Sequence, residues 1–511
     1  MKHPRLAAID IGTNSIRSIV VEVERSGKFR VLDDEKATVR LGEGLHETGL
    51  LSAPATQRAI TALLRQKKII DGYGVDKIEA VATSAVRKAT NGKAFVEAVK
   101  AQTGISIDII SGEEEAELAA LSSFNNFDME GNRYLLVDIG GGSLELVTTV
   151  GRHVEEIFSL ELGAVYLTET FLKAETPTIA AYDRLRRHIR KTLKSIFPDG
   201  APAVSAVIGS GGTVTSIASM VLAGRKKSYA SAHGYEVLRS DIVHLLAMLM
   251  RKSLKELRAV PGLSPDRADI IVAGVTVIDE LLEFCDSNLL RVNERGIREG
   301  LILRGLKKHG MLPLESSPRT WRESVISFAE SCHFDRNHAL QVAKLSMEIF
   351  RSVARPYSLG EKERRILEAA AILHDVGYFI NYSSHHKHSY HLIRHGDLFG
   401  FTPRERELIA NVARYHRKSM PKKKHETYMR LTAPDRLIVS RLGGILRLAD
   451  GLDRSRTGMV SIAESTFSPS RLTLRFSGNG DLSVEIYGAT YKSDLFETAF
   501  GLKLLLEPVS G

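Results

Sequence analysis

"YLLVDIGGGSLEL" (134–146) restates "LAAIDIGTNSIRSIVVEV" (6–23). Each is an apolar run that closes on Asp-Ile-Gly, passes through small polar residues and resumes as a second apolar run. A strand, an acidic Gly-rich turn and a second strand are therefore written twice, with Asp10 and Asp138 in matching places. Gly-rich loops after buried strands let backbone N–H groups approach an anion without interference from Cβ. A third loop of this kind, "IGSGGT" (208–213), follows further along. One such loop is weak information, since Gly-rich turns occur throughout α/β proteins. Two that carry an Asp at the strand end predict duplicated subdomains facing each other across a cleft. The acids cannot attract phosphate directly. They make sense with Mg²⁺ between, a hard cation that binds through one or two carboxylates together with phosphate oxygens and water.

Outward from these loops the first 310 residues alternate strand-like runs, such as "KIEAVAT", with helical ones, such as "PATQRAITALLRQKKII" and "EEEAELAALSS", an α/β pattern. Pro and Ser in "KKHGMLPLESSPRTW" (307–321) suggest a linker, after which strand signals cease for more than a hundred residues and a helical domain is expected. Ten of the 17 histidines lie between His333 and His425, which marks the same boundary. Near the end, "TLRFSGNGDLSVEIYG" alternates around a Gly-Asn-Gly turn and predicts a hairpin in a small α+β unit. The expected division is 1–127, 128–310, 318–460 and 461–511.

At 511 residues and 43% hydrophobic, the chain is too long for one core and ordinary enough to be globular. Cys285 and Cys332 fit no metal or redox spacing, so a reducing compartment, the cytoplasm, is expected. No leader pattern opens the chain, and acids interrupt its longest apolar stretches, so no membrane insertion is expected. The net charge of +9 suits a polyanionic partner, although much of such an excess serves solubility. "RRHIRKTLK" (186–194), "GRKKS" (224–228) and "PKKKH" (421–425) are the basic stretches, each more often a solvated face than a binding track. RNA binding is not expected: only 6% of residues are aromatic and no RNA-recognition block occurs.

"SGEEEAEL" (111–118) lies between the first two loops. Its plainer reading is a helix start, with Ser111 as cap and Glu113, Glu114 and Glu115 favoured by the helix dipole. The sharper reading makes one glutamate the base that deprotonates an attacking water, and spacing does not choose among the three.

In order and spacing, "AAIDIGTNSIRSIVVEV", "AVATSAVRKA" (80–89), "IISGEEEAELA" (109–119), "LLVDIGGGSLELV" (135–147), "IGSGGTV" (208–214) and "GIREGLI" (296–302) resemble the exopolyphosphatase/guanosine pentaphosphate phosphohydrolase family, over about residues 5–305. The resemblance implies a duplicated ribonuclease-H-like fold of the actin-like ATPase superfamily, with the active site between its halves. It assigns Glu115 as general base and Arg87 as partner of a terminal phosphate. Asp138, Glu145 and Asp10 would hold Mg²⁺. Asn14, Ser15, Gly140, Gly141, Gly142, Ser143, Gly211, Gly212 and Thr213 would line the phosphates, with Arg267 contacting the substrate further out. For several of these a structural role is the competing reading: a turn cap for Asp10, an ion pair for Arg87, a helix cap for Arg267. The implied function is Mg²⁺-dependent, processive hydrolysis of terminal phosphate from inorganic polyphosphate. Guanosine pentaphosphate (pppGpp) is the alternative substrate, and a polyphosphate or alarmone sensor with output through the histidine-rich domain is the alternative of another class. An ATP-driven kinase or chaperone of the same superfamily is distant, since no adenosine-pocket signature is found. A homodimer is the family-level expectation.

In the histidine-rich region, "RNHALQVAKLS" (336–346), "AAAILHDVGYF" (369–379), "KHSYHLI" (387–393), "ARYHRK" (413–418) and "LRLADGLDR" (446–454) give the order His, His-Asp, His, His, Asp. This resembles the HD phosphohydrolase superfamily and implies an all-α HD-like domain with His338, His374, Asp375, His388, His416 and Asp450 as ligands of one or two divalent metals. Imidazole and carboxylate suit Mn²⁺, Fe, Zn²⁺ or Mg²⁺. The competing reading is an inert helical platform.

Overall fold

The computed structural model describes residues 3–24, 29–129, 131–173, 178–227, 229–311, 320–478 and 481–509. Most of the linker at 307–321, residues 479–480 of the Gly-Asn-Gly turn, and Ser228 of the second basic stretch lie outside the described residues. The chain divides into two compact units, 1–318 and 319–511.

The first unit holds two sheets. In one, β1 (Arg5–Ile11) pairs antiparallel with β2 (Ser15–Val23), which pairs with β3 (Phe29–Thr38). On its other side β1 runs parallel to β4 (Lys77–Ala82), followed by β5 (Asp108–Ile109), giving the order β3-β2-β1-β4-β5. In the other, β6 (Arg133–Ile139), β7 (Leu144–Val150) and β8 (His153–Leu160) repeat the antiparallel trio. β6 also runs parallel to β9 (Ala206–Ser210), with β11 (Leu289–Val292) beyond it and β10 (Glu236–Leu238) at the edge. The order β10-β11-β9-β6-β7-β8 is thus the first order with one strand added, the arrangement expected of duplicated ribonuclease-H-like halves.

β1 is apolar without alternation because both its faces are covered. Ala7, Ile9 and Ile11 share a core with Leu63, Phe95 and Val99, whereas Leu6 and Ala8 share one with Leu118, Leu301 and Leu306. The helix Gly112–Asn126 is held between the two halves: Leu118 and Ala119 pack with the first sheet, Ala116 and Ala120 with the second. Its first turn therefore points at the crevice between the Asp-Gly loops.

The helix Ile297–Lys308 falls in sequence within the expected division 128–310. Although it follows the second sheet in sequence, Leu301, Ile302 and Leu306 pack on β1 and on the helix Gly112–Asn126, because that face of the first sheet would otherwise be bare.

The second unit is helical from Trp321 to Leu452, with described helices at Trp321–Ser331, Arg336–Ala354, Glu361–Leu373, His385–His395, Pro403–Arg414 and Ala433–Leu452. Two expectations about its end are corrected. Residues 461–511 do not form a separate unit: Leu472, Leu474, Phe476, Phe496 and Phe500 share one core with Val342, Leu373 and Leu446. The hairpin joins β12 (Ser461–Ser468) to β13 (Arg471–Ser477), with β14 (Lys503–Pro508) parallel to β13, and the segment after the Gly-Asn-Gly turn is the helix Ser483–Tyr491. The apolar alternation misled because Val484 and Tyr487 face solvent, while Glu485 is buried and accepts from the Ser455 amide at 3.3 Å.

Among the described residues no helix is long and apolar enough to cross a membrane, and both cysteines are buried free thiols. Of the basic stretches, Arg186 and Arg190 pair with Glu280 and Glu283, and Arg225 with Asp241 at 2.7 Å. The third stretch lies at a cavity with Arg414 and His386.

Candidate active site

The two Asp-Gly loops adopt one conformation. Gly12 N–H donates to the Ser15 carbonyl at 3.1 Å and Gly140 N–H to the Ser143 carbonyl at 3.0 Å, each closing the turn between paired strands. The Gly140 amide thus closes the turn, while the residue itself still lines the cavity. Across the turns, Asp10 stands opposite Arg17 and Asp138 opposite Glu145. Both aspartates end β1 and β6 at the carboxyl edge of their sheets, where open α/β sheets place ligands.

The loops nearly touch. A Cβ on Gly142 would lie 2.6 Å from Ser84 Oγ and 2.9 Å from Thr13 Oγ1, so only glycine permits this approach. The third loop enters through Gly211, whose φ of +93° and proximity to the Ile139 carbonyl (2.4 Å from an added Cβ) exclude a side chain. Beyond it the helix Gly212–Gly224 presents its first-turn amides to the same cavity, with the Arg267 guanidinium lying over Gly212.

The resulting cavity, about 100 Å³, is lined by Asp10, Asn14, Ser15, Glu115, Asp138, Gly140 to Ser143, Gly211 to Thr213 and Arg267. Thirteen of the expected positions thus converge from segments spread over the first 267 residues. Thr13, Arg17, Ser84 and Arg298 line it as well and were not singled out by sequence reasoning. A signal for Arg17 existed: aligning the duplicated motifs sets it against Glu145. Ser84 and Arg298 sit inside "AVATSAVRKA" and "GIREGLI".

Packing chooses among the three glutamates. Glu114 completes a capping box, its carboxylate accepting from Ser111 N–H at 2.8 Å, and Glu113 is exposed. Glu115 is buried at 3% exposure, facing the cavity. Arg87 donates to Glu115 Oε2 at 3.1 Å and to the Ile110 carbonyl at 2.7 Å. It pairs with Glu115 from behind and is not among the residues lining the cavity. Burial pushes Glu115 up to about 8, with Arg87 opposing and the charges of Asp10 and Asp138 adding.

The other carboxylates show the same strain. Burial raises Asp10 to about 6, partly offset by Arg17, and raises Asp138 despite the hydrogen bond from Ser210. Glu145 is raised by burial and by Glu115 and Asp138; its Oε1 accepts from Ser159 at 3.1 Å. Asp10 Oδ1 and Glu145 Oε2 are buried with no hydrogen-bond partner. Buried acids with orphaned oxygens fit a divalent cation. Among the described residues, Asp10, Asp138 and Glu145 do not bring three oxygens within 4.8 Å of one another.

Opposite the acids stand Arg17, Arg267 and Arg298. Burial depresses Arg17 to about 10, and the charges of Arg298 and Arg267 push it the same way. Burial lowers Arg267 likewise. The Asn14 Nδ2 donor and the Ser84 hydroxyl are buried without partners beside them. Clustered, mutually repelling arginines with unsatisfied donors call for a multiply charged anion.

In the second unit, His338, His374, Asp375, His416 and Asp450 are buried together. His388 is not among them. His385, one turn earlier on the same helix, takes its place, with Nε2 3.1 Å from Asp375 Oδ1.

Sequence profiles place this architecture in a known class. That of the Ppx/GppA phosphatase family matches residues 19–309, more than half of the chain, and that of Ppx/GppA phosphatase domain III matches residues 321–480. The protein is a phosphatase, and the chain belongs to the Ppx/GppA phosphatase family. The solved Aquifex aeolicus family member is similar at 30% identity and TM-score 0.52, over 60% of this chain and 98% of that one. An exopolyphosphatase-like protein is 26% identical, with TM-score 0.56 over 60% and 99% of the two chains. An exopolyphosphatase from Cytophaga hutchinsonii shares the fold at 24% identity and TM-score 0.56, over 61% and 100%.

Proposed function

We propose that the first unit hydrolyses the terminal phosphoanhydride of inorganic polyphosphate with Mg²⁺ as cofactor. The observation that carries this reading is the division of one small buried cavity into a carboxylate side (Asp10, Glu115, Asp138) and an arginine side (Arg17, Arg267, Arg298). Glu115, held by Arg87, takes a proton from water. The water oxygen adds to the terminal phosphorus, and the bridging P–O bond breaks to leave inorganic phosphate and a chain one unit shorter. Asn14, Ser84, the arginines and the first-turn amides after Gly211 bind and orient the phosphate oxygens. Asp138 with Glu145, and Asp10 across the crevice, would hold Mg²⁺, which supplies neutralisation of the charge that builds on those oxygens.

Polyphosphate is favoured over guanosine pentaphosphate because, among the described lining residues, none is aromatic and the cavity offers a base no stacking surface. The exopolyphosphatase-like relative supports the same choice. The test is phosphate release with Mg²⁺ from long-chain polyphosphate and guanosine pentaphosphate in parallel, with Glu115→Gln as control. Faster release from polyphosphate, lost in the control, is expected. Preference for the nucleotide moves the protein to alarmone turnover, and tight binding of either without turnover makes it a sensor.

A further inference from the structure

Arg267 and Arg298 line the cavity from segments distant in sequence, yet both are tied to β3, the edge strand of the first sheet. In register across that sheet, Arg17 stands between Asp10 on β1 and Lys36 on β3, so the three form one row on one face. Side chains two apart on a strand share a face. Along β3, Asp34 accordingly pairs with Arg298, Lys36 donates to Asp266 Oδ2 at 2.9 Å, and the Thr38 hydroxyl donates to the same oxygen at 2.5 Å. Just past the strand, Arg40 pairs with Asp269 Oδ2 at 2.8 Å. Asp266 and Asp269 flank Arg267 in sequence.

Arg267 needs such support. It ends a three-residue 3₁₀ turn, Pro265–Arg267, a form with poor hydrogen-bond geometry of its own. Its guanidinium lies over Gly212, so its place follows from the backbone that carries it. Asp266 holds that backbone. Burial opposes its charge, but the hydrogen bonds from Ser264, Thr38 and Lys36 keep its carboxyl well below the usual carboxylate range.

The other end of the tie is fixed to the first phosphate loop. Arg40 adopts φ +50°, a left-handed conformation uncommon for a residue with a side chain. The Val39 and Arg40 N–H groups both donate to the Asn14 carbonyl, at 3.1 and 2.9 Å, and Gly42 N–H donates to the Thr13 carbonyl at 2.9 Å. A continuous connection thus runs from Thr13 and Asn14, through residues 36–42, to residues 264–269 and the arginine over the third loop. Lys36, Thr38, Arg40, Asp266 and Asp269 are not among the described residues that line the cavity. Their contacts are with each other and not with the space a phosphate would fill.

We propose that these five side chains are positioning residues, a latch between β3 and the turn at Pro265–Arg267 that fixes Arg267 against the first phosphate loop. The latch acts on the terminal phosphate only through that arginine. The inference rests on the reading of Arg17, Arg267 and Arg298 as the phosphate side of the cavity.

The full chain with Mg²⁺ is assayed for phosphate release from inorganic tripolyphosphate, and binding of tripolyphosphate to the chain carrying Glu115→Gln is measured by calorimetry. Asp266→Ala is expected to raise KM about tenfold with kcat nearly unchanged, and to weaken calorimetric binding by a similar factor. Asp266→Asn keeps an acceptor for Thr38 and loses the charge for Lys36, so its KM falls between those of the parent and Asp266→Ala. In an Arg267→Met background, Asp266→Ala should change KM by less than about twofold, since residues that act through one group are not additive. Should Asp266→Ala fail to fold, Lys36→Met, at a side chain 33% exposed, carries the same comparison with an expected rise in KM of about threefold. An unchanged KM in these variants, a loss in kcat alone, or full additivity with Arg267→Met overturns the latch while leaving the proposed function in place. A parent that neither binds nor hydrolyses tripolyphosphate overturns both.

Discussion

The hairpins "DIGTNSIR" (10–17) and "DIGGGSLE" (138–145) share a backbone and differ in charge. Both close the same glycine-to-serine turn, and both end a central strand on aspartate. Opposite that aspartate the first sets Arg17 and the second Glu145. An acid facing a base is a near-neutral pair, and its arginine also lines the cavity with Arg267 and Arg298. An acid beside another acid carries excess negative charge, which holds a proton on Glu145 or favours a cation beside it. One duplicated scaffold thus yields two unlike halves, one pairing acid with base and the other acid with acid.

The largest effect should come from the residue the two hairpins enclose. Glu115→Gln removes the proton acceptor and is expected to lower kcat by about 10²–10⁴-fold with KM little changed, read in a steady-state phosphate-release assay. Next comes the acidic hairpin: Glu145→Gln should weaken Mg²⁺ by about 10–100-fold, seen as a higher Mg²⁺ requirement rather than a lower plateau. A plateau that falls at saturating Mg²⁺ would instead give Glu145 a role beyond the metal. In the basic hairpin, Arg17→Gln should raise KM by about tenfold, the loss of one charge-assisted hydrogen bond to phosphate, and should leave the Mg²⁺ requirement alone. If Arg17→Gln and Glu145→Gln shift the same parameter, the division of labour between the hairpins is wrong.

The smallest effect is on pH. Glu115 is a base only when unprotonated, and burial raises its pKa to about 8, so kcat/KM should climb with pH toward that value. Mg²⁺ held beside Asp10 and Asp138 would cancel charges that hold the proton on, and would move the limb to lower pH. Arg87 lowers the Glu115 pKa, so Arg87→Gln should shift the limb upward by about one unit. Metal binding itself should strengthen as pH rises through about 6, where Asp10 loses its proton, which a Mg²⁺-dependent melting shift recorded across that range would show.

Much of this was legible in the chain. The apolar runs of β1 and β6 gave strands covered on both faces, since no other element buries such a run with Gly-rich ends. The repeat of Asp-Ile-Gly gave the duplication and the position of the cleft. The site's acids were readable for the same reason: a strand that ends in a tight turn leaves its last side chain a fixed place at the sheet edge. Sequence failed where periodicity was ambiguous. "LSVEIYGAT" alternates like a strand and packs as a helix because Glu485, Gly488 and Ala489 form its buried face. His385 and His388 are one turn apart on a single helix, and spacing alone could not tell which faced Asp375.

The sequence by itself therefore determined the repeated strand-turn-strand units, the aspartates at their ends and the family to which the chain belongs, all set by local backbone geometry and hydrophobic period. Only the tertiary structure decided which of three adjacent glutamates is buried, that Arg87 pairs with Glu115, that Arg17 and Arg298 join Arg267, and that the helix Ser483–Tyr491 lies beside the histidines. Those outcomes depend on what packs against each helix from far along the chain. The clamp of Gly112–Asn126 between two sheets turns Glu115 inward and leaves Glu113 in water, and the strands that form those sheets come from far along the chain on either side.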